Sequence, residues 1–195
     1  MSNREKIQKI TVVSILAALT VVLSFIPIKY FFEITITIVP IVVGILVGGR
    51  KTGLILGTVF GVISFLQCFG FSPLGVNLLA INPFLTFIVC VPTRMLMGWL
   101  AGLINDLLTK KHGHTRISDI VCSILVPLLN TIFFMGALVI CFYNTELIQG
   151  FKDVLGAKNV IHFILLFVGV NGLIEMAIGV LTGVSMTRVV DTIKK

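Results

Sequence analysis

Charge is scarce in this chain. Asp, Glu, Lys and Arg make up 12% of its 195 residues, where a soluble domain carries about a quarter. That leaves too little polar surface to coat a globule, which excludes an ordinary soluble domain. Catalytic motifs are missing too. No GxxxxGK[ST] phosphate loop, HExxH or Ser/His/Asp arrangement occurs, so neither ATP hydrolysis by that route nor an intramembrane enzyme is supported. The histidines, at 112, 114 and 162, are not spaced with Cys, Asp or Glu as a metal set would be. Cys68, Cys90, Cys122 and Cys141 form no CxxC pair and lie in or beside apolar runs, the pattern of small packing residues. No catalytic residue, metal or cofactor is expected. Period-two alternation is absent, which argues against a β-barrel.

Apolar residues are abundant: 57% of the chain, with a mean hydropathy of +1.12. The expected class is an all-α integral membrane protein, one domain over residues 1–195. Hydropathy and helix breakers predict a six-helix bundle with spans near 10–27, 34–49, 53–69, 84–105, 117–143 and 160–190. The first follows MSNREKIQK and has no small-x-small cleavage site, so it reads as a retained helix. The second and third are short, roughly 16–17 residues or about 25 Å each, and call for thinned lipid or burial inside the bundle.

The net charge of +7 comes from short clusters between apolar runs. No basic stripe interleaved with aromatics is present, so nucleic acid is not expected. Eleven of the fifteen cations fall on one set of span ends, at Arg4, Lys6, Lys9, Arg50, Lys51, Lys110, Lys111, Arg116, Arg188, Lys194 and Lys195. The opposite ends hold Lys29, Lys152 and Lys158. By the positive-inside rule both termini are cytoplasmic. The outer connection CFGFSPLGVNLLAINP is long and apolar, which suggests a lid packed on the bundle, the alternative being a loop resting on headgroups. Gly49, Gly53, Gly57 and Gly61 recur every four residues, and Gly44/Gly48, Gly98/Gly102 and Gly179/Gly183 repeat the spacing. Such ridges allow close backbone approach, within the bundle or to a partner.

The remaining cation, Arg94, lies inside FLTFIVCVPTRMLMGWLAGLI. A charge there costs a few kcal/mol or more. Arg94 is about 15 Å below the outer end of the fourth span, and Asn130 about 20 Å above the inner end of the fifth. Asn171 and, one turn on, Glu175 reach a similar depth on the sixth. Asn82 and Asn77 stand above them as an upper wall. Two readings compete. In one, Arg94 and Glu175 form a buried ion pair and the asparagines brace the helices. In the other, Arg94 offers its planar fork to a ligand carboxylate, the asparagines bond amide or hydroxyl groups, and Glu175 accepts from a hydroxyl or holds Arg94. Pro92 loosens the helix just above Arg94 and frees a carbonyl.

The six spans, the outer loop, INPFLTFIVCVPTRMLMGWLAGLI with its NP start and internal P-x-R, and IVVGILVGGRKTGLILGTVFGVISF together resemble the S-components of energy-coupling factor (ECF) vitamin transporters, the pantothenate-type branch in particular. The resemblance covers essentially the whole chain. It implies a subunit of the bacterial plasma membrane that captures a vitamin from outside with high affinity. Its partners would be membrane lipid, a transmembrane coupling subunit and two cytoplasmic ATPases, and it would topple to release its cargo inward. The family's coupling step, Ala-x-x-x-Ala in the first helix, corresponds here to Ser14 and Ala18. Pantothenate has one carboxylate, one amide and two hydroxyls, which suit Arg94 and its polar neighbours. Folate, another carboxylate-bearing vitamin, is the rival ligand. A stand-alone secondary carrier would need an ion-coupling site, for which Glu175 is the sole candidate. A structural subunit would need no ligand.

Overall fold

A computed structural model describes residues 3–25, 37–112 and 116–193, and within them the side chains outside 5–6, 111–112, 116–118, 170–175 and 183–193. Seven helices follow in order: α1 (Asn3–Ser24), α2 (Ile38–Gln67), α3 (Pro73–Ile81), α4 (Pro83–His112), α5 (Arg116–Phe142), α6 (Glu146–Val154) and α7 (Val160–Ile193). No strand occurs among the described residues. Among the described residues four stretches, Ile7–Ser24, Ile38–Gln67, Pro83–Lys110 and Asp119–Phe142, are long and apolar enough to cross a membrane, and Val160–Gly169 is a shorter apolar helix.

The sequence predicts two spans where α2 stands, and the reason lies at Gly49. Its backbone (φ 66, ψ −153) is in the left-handed range that glycine enters without penalty. A Cβ built on Gly44 would lie 2.2 Å from Leu56 Cδ1. In a straight helix those residues would be about 18 Å apart along the axis, so the two arms of α2 fold back on each other. Ile38, Pro40, Ile41, Val42, Gly44, Ile45 and Leu46 on the first arm are all buried. A helix apolar all round belongs inside a bundle, and α2 accordingly touches α1, α4, α5 and α7.

The glycine ridge of the second arm is spent within the chain. Added Cβ atoms at Gly53, Gly57 and Gly61 would meet Gly98 O at 2.3 Å, Arg94 O at 2.4 Å and Val91 Cα at 2.9 Å. The arm therefore runs antiparallel to α4 at backbone contact, which side chains larger than hydrogen would forbid. At the bend, the backbone N–H of Arg50 donates to Asp106 Oδ2 on α4 at 3.2 Å.

The connections before α4 and after α5 each contain a short helix where hydropathy alone predicts loop. Ser72 caps α3, its Oγ accepting from Gly75 N at 3.2 Å, and Pro73 occupies the first turn, a start signal written in the sequence. Each short helix buries a large apolar residue in the core. Leu78 of α3 and Ile148 of α6 are buried in a cluster with Val89, Leu138, Phe142 and Phe163, while Val76, Asn77, Ala80 and Ile81 of α3 stay exposed. The longer cluster, around Ile41, Ile45, Leu56, Phe60, Met97 and Val126, fills the bundle between that layer and the Gly49 bend.

Candidate functional site

Arg94 sits on α4 two residues after Pro92. Proline has no N–H, so the carbonyl of Ile88 loses its i+4 donor and the helix is open to adjustment here. The neighbouring carbonyl of Val89 accepts from Arg94 Nη1 at 2.9 Å and from the Thr93 hydroxyl. Helical side chains lean toward the helix N-terminus, and Arg94 follows that rule to reach one turn back along α4.

The residue is buried, at 7% exposure, and its guanidinium faces the neighbouring helices. The carbon Cζ stands 4.3 Å from the Phe134 ring centre on α5 and 5.4 Å from that of Phe60 on α2. Cation–π contacts contribute about 0.5–2 kcal/mol each, and a hydrogen bond from a charged donor about 1.5–3 kcal/mol. Together these match the order of the insertion cost, about 2.5–3.5 kcal/mol on translocon scales. The cation thus stands over both ring faces. Carboxylates dock at its edge, in the plane.

Asn130 lies four residues before Phe134 and so shares its face of α5, the face turned toward Arg94. It is 9% exposed, and its Oδ1 is buried with no hydrogen-bond partner among the described residues. An unmet buried carbonyl costs about 1–3 kcal/mol. Phe134 thus lies against Arg94 and one helical turn from Asn130.

The other predicted residues stand differently. Asn171 and Glu175 follow the break in α7 at Gly169 (φ 5, ψ −100), but their side chains lie outside those described. Asn82 joins α3 to α4, and its Oδ1 accepts from the backbone of Phe84 and Leu85, both at 3.1 Å. This is an N-cap, with Pro83 as first residue of the helix. Asn77 is exposed and donates to Pro73 O of its own helix at 3.0 Å. Ser14 and Ala18 are both exposed on α1, the face of that helix turned away from α2.

Phe60 and Phe134 are parts of the site that the sequence reading does not single out. Phe134 has a signal in one dimension, since it repeats Asn130 at i+4. Phe60 has none beyond its place in the glycine-rich arm, because the antiparallel register of α2 on α4 brings it to Arg94.

One protein family, described as "ECF transporter, substrate-specific component", matches residues 8–182. The chain belongs to that family. It is therefore a substrate-binding subunit of a transporter and not an enzyme, and the apolar helices are those of a multi-pass membrane protein. Members of the family take small-molecule substrates and work with an ECF module. No curated protein matches the chain.

Proposed function

We propose that this S-component captures pantothenate from outside the bacterial plasma membrane for ATP-driven uptake. Arg94 anchors the carboxylate, and Asn130 accepts from an amide or hydroxyl of the ligand. Asn171 and Glu175 on α7 complete the polar ring, and the rings of Phe60 and Phe134 form an apolar wall beside the gem-dimethyl group. Asn82 acts at a distance, fixing the start of α4, and Asn77 belongs to the lid helix α3. The observation that carries this reading is the buried Arg94, its cation over the ring of Phe134, which lies one turn along α5 from Asn130.

The supporting topology has six crossings, the two arms of α2 counting as two and α7 as one, with both termini cytoplasmic. Lys9, Arg50 and Lys110 from three separate basic clusters surround one cavity at the Gly49 bend, which supports assigning those clusters to one side. The exposed Ser14/Ala18 step on α1 is the contact for the transmembrane coupling subunit, which brings with it two cytoplasmic ATPases. Only 11% of the α1 span is buried within the chain, leaving room for a partner.

Mass spectrometry of the small molecule that co-purifies with the solubilised chain tests the assignment. Pantothenate is the expected species. Folate, or any ligand without a carboxylate, overturns it.

A further inference from the structure

At the opposite end of α4 from the lid lies a cavity of about 490 Å³ that vitamin capture does not use. Asn105 and Asp106 on its wall are about 18 Å along α4 from Arg94. Three cations from three helices line it, Lys9 of α1, Arg50 at the α2 bend and Lys110 of α4, and all three are exposed. Asn105 lines it too and is 3% exposed. Its Nδ2 donates to Ile45 O at 3.1 Å, which leaves Oδ1 as the acceptor of the amide. That oxygen is buried with no hydrogen-bond partner among the described residues. The cavity therefore asks for two things at once: an anion for the cations, and a hydrogen-bond donor for Asn105. The end of the first α2 arm and the Asp106 carboxylate add negative potential on the donor side. Apolar Leu103 and Leu107 complete the wall.

The geometry points to a binding site for a phosphate ester that also carries a hydroxyl or ammonium donor. Head groups of ethanolamine and glycerol phospholipids have this chemistry, and so do soluble esters such as glycerol phosphate. The three cations take the phosphate, and Asn105 Oδ1 accepts from the donor. Phosphatidylcholine supplies the same phosphate with a quaternary ammonium that has no N–H, so it satisfies only half of the site. Nothing in this site depends on which vitamin the chain carries.

Native mass spectrometry of the delipidated full chain, titrated with phosphatidylethanolamine, phosphatidylglycerol and phosphatidylcholine of identical acyl chains, reads the site directly. One retained ethanolamine or glycerol lipid is expected, bound about tenfold tighter than the choline lipid, the worth of one buried hydrogen bond. Lys9→Gln, Arg50→Gln and Lys110→Gln should each weaken retention about fivefold, and these exposed changes leave the fold intact. Asn105→Ala should remove the preference over phosphatidylcholine while keeping the affinity for the anion. Glycerol 3-phosphate competing at millimolar concentration would identify soluble esters as occupants, and lipid retained against it would identify the membrane as the source. Equal retention of all three lipids, or retention unchanged in the triple Gln variant, overturns the site. Retention of the co-purifying vitamin in the same spectra separates that result from a failure of vitamin capture.

Discussion

Gly57 lies directly against the backbone carbonyl of Arg94: a Cβ at Gly57 would sit 2.4 Å from that oxygen. The glycine seam and the buried cation are therefore parts of one construction. The absence of a side chain on α2 sets how closely Arg94 approaches Phe60, and hence where the guanidinium edge is presented.

Gly57→Leu should move α2 off α4 at the depth of Arg94. Overpacking of this kind costs about 1–3 kcal/mol. We expect a lowered unfolding temperature in detergent and weakened ligand binding together. Gly136→Ala on α5 is the matched control, because nothing lies within 4 Å of the added carbon, and it should leave both readouts unchanged. Equal effects from the two substitutions would show that the seam does not set the site.

Arg94→Ala should abolish binding of the carboxylate vitamin, measured by calorimetry on the purified chain. Arg94→Lys should retain a little, since a point charge replaces a planar fork that also lies over the rings of Phe60 and Phe134. Asn130→Leu should weaken binding about tenfold, through the loss of one hydrogen bond. Unaltered affinity in the Arg94 variants would remove the anchor from the mechanism.

Ser14→Trp with Ala18→Trp should spare ligand capture yet block uptake in cells that also express the ECF module. Both positions are exposed on α1, so bulk there disturbs no internal packing. Normal uptake rates would place the coupling contact elsewhere.

The thiols of Cys68 and Cys90 are 3.8 Å apart, joining the end of α2 to α4. Treatment of the purified chain with a diazene oxidant should give a crosslinked peptide pair containing these two residues. Cys68→Ser or Cys90→Ser should each eliminate it. A crosslink involving Cys122 or Cys141 instead would contradict the antiparallel register of α2 on α4.

Much of this chain is legible in one dimension. Low charge and long apolar runs require a membrane protein whatever the packing, because an uncoated apolar surface cannot stay in water. The four-residue spacing of glycines announces close helix contact, and Arg94 announces itself by its cost in lipid. What a residue's neighbours are is another matter. Asn82 and Asn130 look equally polar in sequence, yet Asn82 spends its oxygen on the backbone of Phe84 and Leu85, while that of Asn130 is left over.

By itself, then, the sequence determined the solvent this protein lives in, the positions of its backbone contacts and the family it resembles, since those follow from composition and spacing along the chain. Only the tertiary structure decided that α2 folds back at Gly49, that Phe60 and Phe134 flank Arg94, and that Asn105 shares one cavity wall with Lys9, Arg50 and Lys110. Those relationships join residues far apart in sequence, and hydrogen bonding is settled by which atoms packing brings within about 3 Å of one another.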